Sequence, residues 1–563
     1  MNIFKMGKEN FRINVIAFFV LILFAFLGYR LVSLQLLNRD MWQALAQGQQ
    51  TYFTQDQGAR GEIYLRGKDK LVPAAVNKPS NFCFASPQKV DNKEEAAESL
   101  SGILNLEKKE IEEKLNKEGQ FASLQHNLNQ EKANKIKSLE IEGVFLKQEH
   151  SRTYPQGELA SQVLGFVGSE GNGQYGLEEY YNEELQGDYG FLKGEKGSGG
   201  NLIFNEKSTL KQGSDLTLSI DYNIQYFAQD LLKQAAEDLN IRGGSIIVMN
   251  PNTGEIWAMA NYPNFNPDNY SDFEMETYKN EAVQSLYEPG SVFKPLTMSA
   301  ALNEDAVTPH TTYLDTGKVE KGGYTIKNYD EEVWGTTTMT EVIERSVNTG
   351  AVFAEEQLGH NKFLDYLKKF GIFEKTGIDL AGETYSANRS LKKGYASNYA
   401  TAAYGQGVEV TTIQLVRAFS ALINGGRLVR PHVVKKVDDR VVKTEKQRRV
   451  ISEETSSQIT TMLVSAVENG LCSRAQVPGY FVGGKTGTAL ISWSSMNKDK
   501  EGYSDQTWES FMGFAPAFNP KFIALVKLDN PDTGAAGYSA TPMFQKLAKY
   551  ILNYKGIVPT KES

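Results

Sequence analysis

The sequence predicts a mixed α/β (α+β) protein with more than one domain, and three features support this. The chain of 563 residues is too long for a single hydrophobic core. Strand-like runs stand at both ends of its C-terminal part with helix-like segments between them, which is the pattern of a sheet covered by helices on two faces. An apolar run at residues 13–32 precedes both regions.

This apolar run is predicted to be a single transmembrane helix, since about 20 such residues span a bilayer. The basic residues Lys5, Lys8 and Arg12 place residues 1–12 in the cytoplasm and the rest of the chain outside. A cleaved signal peptide is the competing interpretation. Its small-x-small site at residues 44–46 lies well beyond the run, and the run is longer than a signal-peptide core, which favours a retained anchor in the cell membrane.

Residues 33–212 are predicted to form a mixed, non-catalytic domain. Segment 93–119 is rich in Glu, Lys, Leu and Ile, with apolar residues at near-helical spacing, and this indicates a solvated pair of helices. Residues 171–176 satisfy the pattern G-x-G-x-x-G, but no strand leads into them and no strand with a ribose-binding acid follows. The pattern therefore does not indicate a dinucleotide site.

The C-terminal domain is predicted to start near Gly213 and to end at residue 556, before a tail at 557–563. Apolar and polar residues alternate from Leu216 to Ile220 as in a strand, and the period then becomes that of a helix with Asp221 as its N-cap. A hairpin is expected at residues 245–259 because two short apolar runs flank a turn.

The far end of the chain is predicted to complete the same sheet. Strands are expected at three ranges: 484–488, 510–515 and 522–528. A last helix is expected with Thr541 as N-cap and Pro542 at its first position.

Composition excludes several classes of function. A net charge of -8 argues against nucleic acid as a partner. The two cysteines, Cys83 and Cys472, are too few for a disulfide scaffold or a zinc site, and they are expected to pack unpaired as small apolar residues. The five histidines form no metal-ligand spacing, and no G-x-S-x-G elbow presents a serine for a His-dependent triad. No metal site is predicted.

The stretch 287–295 is predicted to be a helix start that carries a nucleophile and its base. Ser291 and Lys294 lie three residues apart and so share a helical face, which suits a serine that loses its proton to an amine. The N-terminus of a helix also directs free N–H groups at developing negative charge. Alone, this S-x-x-K spacing is weak, because it arises often by chance.

Two later stretches make the pattern specific. Ser346-Val347-Asn348 and Lys485-Thr486-Gly487 follow in the order in which S-x-x-K, S-D-N and K-T-G occur in penicillin-binding proteins and class A β-lactamases. The flanking Glu288-Pro289-Gly290 and Tyr404-Gly405-Gln406-Gly407 also match the transpeptidases. The chain therefore resembles a class B penicillin-binding protein, a monofunctional peptidoglycan D,D-transpeptidase.

The N-terminal domain carries the same resemblance. Residues 59–63, 152–155 and 175–178 are similar to the family's elongated pedestal, or dimerisation-type, domain. Leu65 departs from the pattern, because the family usually has an acidic residue before Arg66. The resemblance implies a transpeptidase domain built as an α/β/α sandwich with an antiparallel sheet and an all-helical subdomain.

The resemblance also implies a mechanism without cofactor. Ser291 would attack the D-Ala-D-Ala amide of a stem peptide, and a neighbouring stem's amine would then take the acyl group. Lys294 would be the base, with its pKa lowered by burial and by the charge of Lys485. Ser346 would relay the proton to the leaving amine. β-Lactams would acylate Ser291 as mimics of D-Ala-D-Ala.

Substrate binding is assigned to the remaining motif residues. Asn348 would donate to a substrate amide and accept from Lys294. The strand with Thr486, Gly487 and Thr488 suits an extended peptide bound edge-on, with Gly487 keeping bulk away from the peptide and the threonines holding a terminal carboxylate. The resemblance places the oxyanion hole at the N–H groups of Ser291 and Thr488.

Several alternatives remain. A β-lactamase is usually smaller and lacks a pedestal, whereas a D,D-carboxypeptidase has the same motifs and differs only in using water as acceptor. A bifunctional enzyme would need a glycosyltransferase motif, which is not found. The non-enzymatic alternatives are a β-lactam sensor and an inactive division scaffold. Residues 526–539 resemble the septal more than the elongation enzymes, and either type would work with a SEDS-type glycan polymerase and other divisome or elongation proteins.

Overall fold

The computed structural model describes residues 11–32, 51–119, 121–196, 202–204, 211–443, 448–496 and 499–561. The chain divides into two compact units. One comprises Met1–Arg60 with Gln186–Gly213, and the other comprises Gly61–Leu185 with Ser214–Ser563.

Among its described residues, the smaller unit contains one helix and one sheet. The helix is Phe11–Val32, and its apolar side chains between Phe18 and Leu27 are exposed. The sheet has three antiparallel strands: Thr51–Gln57, Tyr189–Lys196 and Leu202–Phe204. Among the described residues, no helix combines the length and the apolar character needed to cross a membrane.

The larger unit contains a seven-stranded sheet, whose strands come from both sequence segments of that unit. Strand Ile63–Arg66 pairs in parallel with Leu216–Asp221 and antiparallel with Leu71–Ala85. Leu65, in the slot that is usually acidic, is fully buried opposite Val72, so an apolar residue there fills the core. The remaining strands are Ala122–Leu128, Val144–Thr153, Val434–Val437 and Arg440–Val441.

The predicted helix pair at residues 93–119 is confirmed as Lys93–Leu104 and Lys108–Leu115. The pair is solvated on one side only. Leu100, Leu104 and Ile111 are buried in a second small core, which also contains Cys83. Further short elements follow: helices Gln130–Ser138, Ser161–Leu164, Gly176–Tyr180 and Asn182–Leu185, and strands Phe166–Val167 and Gly173–Gln174.

The second sheet has five antiparallel strands, and it confirms the predicted hairpin and the three late strands. Its order is Ile256–Tyr262, Gly243–Met249, Phe522–Asp529, Tyr503–Ala515 and Gly483–Ser492. The strands are longer than their apolar runs because backbone pairing continues into polar residues. Strand Gly483–Ser492, which carries the K-T-G motif, lies at the edge of the sheet. We call it the edge strand.

The two predicted caps have opposite outcomes. Asp221 caps helix Tyr222–Leu239 as predicted, because its carboxylate accepts from the N–H groups of Asn223 at 3.1 Å and Ile224 at 3.4 Å. The predicted last helix is present, but its predicted cap was wrong, since the helix runs from Ala540 to Tyr554 with Ser539 at the N-cap position. The Thr541 hydroxyl donates to the Ala536 carbonyl at 2.8 Å and is therefore turned away from the helix N-terminus.

The segment between the two ends of this sheet is not all-helical, contrary to expectation. It contains the short hairpins Thr312–Asp315 with Gly335–Thr338 and Lys318–Lys321 with Tyr324–Lys327, and strands Arg427–Leu428 and Arg448–Arg449 also pair. Threonine-rich and glycine-turn sequences favour these hairpins over helix. The helices are Glu281–Gln284, Lys294–Asn303, Met339–Glu344, Asn348–Leu358, His360–Lys369, Ala396–Ala402, Thr412–Ile423 and Glu453–Glu468.

Candidate active site

Ser291 lies in a short 3₁₀ turn, Gly290–Phe293, and not in the α-helix predicted for it. The α-helix begins at Lys294. Residues three apart eclipse one another in a 3₁₀ turn, so Ser291 and Lys294 still lie on the same side. Gly290 has a φ of +59° and its N–H donates to the Gly405 carbonyl at 3.0 Å, which holds the turn against the Tyr404–Gly407 segment.

Gly487 allows the edge strand to approach this turn closely. A Cβ at residue 487 would lie 2.3 Å from Cγ2 of Val292 and 2.9 Å from the Pro289 carbonyl oxygen. A side chain at residue 487 would therefore clash with the Ser291 turn. The prediction from the sequence was different, because it expected glycine to leave room for the substrate peptide. Glycine at this position allows the edge strand to pack directly against the turn that contains Ser291.

Lys294 and Lys485 converge on the hydroxyl of Ser346. The Lys485 ammonium donates to Ser346 Oγ at 2.8 Å, and Lys294 Nζ donates to the same oxygen at 3.2 Å and to the Ser346 carbonyl. Both lysines are almost completely buried, with 1 % and 0 % of their surface exposed. Within the part of the chain that the structure describes, neither lysine has an ion-pair partner.

Ser346 is the middle residue of a three-residue link between helices Met339–Glu344 and Asn348–Leu358. Its φ of +59° is in the left-handed region, which costs a non-glycine residue about 1–2 kcal/mol. The preceding helix is fixed by a capping box between Thr338 and Glu341. The surrounding structure must therefore hold this conformation in place.

Burial and charge separate the two lysines in pKa. Burial, followed by the positive charge of Lys485, holds the pKa of Lys294 well below its ordinary range. Burial lowers the pKa of Lys485 to about 8. Lys485 is thus mainly charged at neutral pH, and Lys294 releases its proton more readily than an ordinary lysine, as predicted from the sequence.

These contacts leave the right atoms free for proton transfer. A neutral lysine has two N–H donors and one lone pair, and Ser346 occupies both donors of Lys294. The lone pair of a neutral Lys294 is then available to accept a proton. Ser346 Oγ accepts from both lysines and keeps its own proton for donation. Ser291 is half-buried, and its hydroxyl has no hydrogen bond to another described residue.

The predicted substrate-binding residues lie around this cluster. The Asn348 amide donates to the Lys327 carbonyl at 2.9 Å, and within the described ranges it has no bond to Lys294, contrary to expectation. Thr486 Oγ1 accepts from Lys485 at 3.3 Å, and Thr488 Oγ1 accepts from the Ala536 N–H at 3.2 Å. The free backbone of the edge strand is open to an extended peptide.

Cys472 lies next to the site, a position that was not predicted from the sequence. Both cysteines are free and buried, as predicted. However, Sγ of Cys472 lies 4.0 Å from Oγ1 of Thr486 on the edge strand. Burial raises the pKa of the Cys472 thiol, which therefore stays neutral near pH 7. No periodic pattern or motif surrounds Cys472, so no signal in the sequence could have placed it here.

Comparisons with known proteins agree with this geometry. Residues 244–549 match the penicillin-binding protein transpeptidase domain, and residues 55–218 match the penicillin-binding protein dimerisation domain. The chain belongs to the class B penicillin-binding proteins. It is 34 % identical to stage V sporulation protein D of Bacillus subtilis, over 98 % of this chain and 86 % of that protein.

Two further similarities span most of the chain. The probable peptidoglycan D,D-transpeptidase PenA of Neisseria meningitidis is 29 % identical over 99 % of this penicillin-binding protein and 95 % of its own length. The crystal structure of penicillin-binding protein 3 from Mycobacterium tuberculosis, complexed with aztreonam, is 25 % identical and superposes with a TM-score of 0.70. That match covers 90 % of this chain and 98 % of the other.

Proposed function

We propose that this penicillin-binding protein cross-links peptidoglycan stem peptides through a serine acyl-enzyme, with Ser291 as the nucleophile. The observation that carries the proposal is the convergence of Lys294 and Lys485 on Ser346, in a buried site beside the Ser291 turn. D,D-Transpeptidase activity is also what the family match and the name of the Neisseria relative indicate.

The reaction proceeds in two steps. Ser291 Oγ attacks the carbonyl carbon of the D-Ala-D-Ala amide while its proton passes to the lone pair of Lys294. The C–N bond then breaks, the Ser346 hydroxyl passes a proton to the departing D-Ala nitrogen, and Lys294 restores that proton. An amine of a second stem then attacks the ester carbonyl and gives a proton to Lys294. The C–O bond breaks as that proton returns to Ser291 Oγ, which releases Ser291 and forms the cross-link.

Binding of the donor stem is assigned to the edge strand. Thr486, Gly487 and Thr488 pair with the extended peptide, while the charged Lys485 with the threonine hydroxyls attracts the terminal carboxylate. The N–H groups of Ser291 and Thr488 stabilise the oxyanion, and the loss of one such donor costs about 2.7–4 kcal/mol. Asn348 binds a substrate amide once its contact with Lys327 is exchanged.

Labelling with a fluorescent penicillin tests the proposal. The wild-type protein is expected to form a lasting covalent adduct, and Ser291→Ala is expected to form none while remaining folded. An adduct that decays within seconds would indicate a β-lactamase. A folded wild-type protein that is never labelled would instead indicate a non-enzymatic scaffold.

The cellular setting is also proposed. Residues 1–12, 13–32, 33–212, 213–556 and 557–563 are assigned as tail, membrane anchor, pedestal, transpeptidase domain and tail. The basic flank, the apolar run and the exposed apolar side chains from Phe18 to Leu27 support the anchor and an extracytoplasmic catalytic domain. Membrane fractionation of the full chain and of a variant without residues 1–32 tests this.

A septal role beside a SEDS-type glycan polymerase is proposed from residues 526–539, with the anchor and pedestal as the contact. A role in sporulation is the second candidate, favoured by similarity over nearly the whole chain to a protein named for that process. Depletion in growing cells distinguishes the two, because only loss of a septal enzyme would block vegetative division.

A further inference from the structure

The helix that follows Ser346-Val347-Asn348 lacks a local cap. Helix Asn348–Leu358 has Val347 at its N-cap position, and valine provides no side-chain acceptor. The first N–H groups of a helix have no partner within it. Here the Thr349 N–H donates to Oδ1 of Asn328 at 3.1 Å, so a residue 21 positions away supplies the missing acceptor.

Asp315 fixes the orientation of this remote cap. Asn328 Nδ2 donates to the two carboxylate oxygens of Asp315 at 3.0 and 2.9 Å and to the Glu332 carbonyl at 3.0 Å. With the nitrogen facing three oxygens, Oδ1 of Asn328 must face the helix. The Thr349 hydroxyl also donates to Asp315, at 2.7 Å.

The network is buried and is held by hydrogen bonds instead of ion pairs. Asp315, Asn328 and Thr349 are 1 %, 5 % and 6 % exposed. No described Lys, Arg or His forms an ion pair with Asp315. Burial alone would raise the pKa of Asp315, but bonds from Thr349, Trp334, Gly317 and Asn328 bring it below its ordinary value. The carboxylate therefore stays charged at neutral pH.

Asp315 and Asn328 belong to residues 312–338, which we call the cleft hairpin. This hairpin also contacts the residues on either side of Ser346. The guanidinium of Arg345 lies 4.8 Å from the ring centre of Trp334, and the Asn348 amide donates to the Lys327 carbonyl. Residues on both sides of the strained Ser346 are thus bound to one hairpin.

We propose that Asp315 and Asn328 are positioning residues that act as a remote N-cap and thereby hold the Ser346 hydroxyl between Lys294 and Lys485. Neither residue touches the reacting atoms, and both act through Thr349. This inference rests on the proposed acyl-enzyme chemistry. It adds that the cleft hairpin sets the rate of acylation.

A donor–acceptor exchange tests the proposal. Asp315→Asn weakens the bond to the Asn328 amide, and Asn328→Asp places two carboxylates about 3 Å apart. The double variant Asp315→Asn/Asn328→Asp restores one donor facing one acceptor and keeps an oxygen for the Thr349 N–H. Time courses of penicillin acylation at several concentrations separate the acylation rate constant from the dissociation constant of the non-covalent complex.

Each single variant is expected to lower the acylation rate constant by roughly tenfold to 100-fold, because misplacement of a catalytic group by about 1 Å has effects of this size. The dissociation constant is expected to change less than the rate constant. The double variant is expected to recover most of the loss. Asp330→Asn on the same hairpin is the matched control, because Asp330 is exposed and tolerates asparagine at its φ of +50°, and it is expected to behave as wild type.

Three results would overturn the inference: single variants acylated at the wild-type rate, a double variant no faster than the slower single variant, or a change confined to the dissociation constant. If Asn328→Asp does not fold, Asn328→Ala, which loses both the amide donors and the acceptor, is measured in its place. An unlabelled wild-type protein would refute the proposed function itself, so the two failures are distinguishable.

Discussion

Buried cations occur in two regions of this penicillin-binding protein, and their partners differ. In the active site, Lys294 and Lys485 are buried with hydroxyls and carbonyls as partners. Elsewhere, Lys527 faces Asp529 and Glu281, and Arg152 donates to Glu178 at 2.7 Å. All four side chains lie almost entirely out of contact with water.

The difference in partners reverses the direction of the pKa shift. Burial lowers the pKa of Lys527, but Asp529 and Glu281 outweigh burial and raise it above its ordinary value. Glu178 does the same for Arg152. Burial is unopposed by any carboxylate at Lys294, and a like charge adds to it. A buried cation that is paired with a carboxylate therefore keeps its charge and stabilises the fold. A buried cation without a carboxylate has a lowered pKa and loses its proton more readily.

The sharpest test of this contrast is Lys294→Met, which removes the lone pair and keeps the volume. Acylation by penicillin is expected to fall by about 10²–10⁴-fold, the usual contribution of a general base. The free energy of unfolding is expected to stay the same or rise, because an unpaired buried amine is replaced by an apolar group. Labelling kinetics and denaturant unfolding measure the two effects. A variant that is both active and destabilised would contradict the assignment.

Arg152→Met is expected to give the opposite result. Removal of one partner from a buried ion pair costs about 3–5 kcal/mol, and here the buried Glu178 carboxylate would lose the guanidinium of Arg152. Fluorescence-monitored unfolding checks the loss, and the folded protein is expected to be labelled at an unchanged rate. A loss below about 1 kcal/mol would show that this pair is not structural.

The pH dependence of stability distinguishes Lys485 from Lys527. Lys485 has a folded pKa of about 8 against an ordinary value of 10.5, so the unfolded chain binds more protons between these pH values. Stability is expected to rise across this window by roughly 3 kcal/mol from this residue. Lys527, with a raised pKa, contributes stability that is fully present below its ordinary pKa of 10.5 and is lost as the pH rises from there through its folded pKa. Unfolding at pH 8 and 10 measures the rise, and Lys485→Met is expected to reduce it by the contribution of Lys485. The contribution of Lys294, whose pKa is also lowered, should remain. A rise of unchanged size in Lys485→Met would refute the assignment.

Much of the proposed catalytic set could be recognised from the sequence because its members lie in short motifs. Ser291 and Lys294 are three residues apart, and the order of the three motifs identified Ser346 and Lys485. The strands and the Asp221 cap followed from periodicity and from local chemistry. Thr541 does not cap the last helix because its hydroxyl donates to the Ala536 carbonyl in the preceding loop. The local sequence pattern gives no indication of this hydrogen bond.

Contacts between distant segments could not be predicted in this way. Asp315 and Thr349 are 34 positions apart, and nothing in either sequence neighbourhood indicates the other. Gly487 was recognised as necessary, but its reason, the close approach of Val292, depends on how the edge strand packs on the turn. The sequence shows which reactive side chains are present, and the tertiary fold determines which other residues bind and orient those side chains.

The smallest expected effect concerns Cys472, whose Sγ lies 4.0 Å from Oγ1 of Thr486 on the edge strand. Burial raises the pKa of this thiol, so it carries no charge near pH 8, where Lys485 loses its proton. Cys472→Ala is therefore expected to shift the pH dependence of the acylation rate by much less than one unit. Cys83→Ala, in the separate core beside helix Lys93–Leu104, is the matched control and should leave the profile unchanged. A profile that moves to lower pH in Cys472→Ala alone would mean that this thiol supports the charge of Lys485.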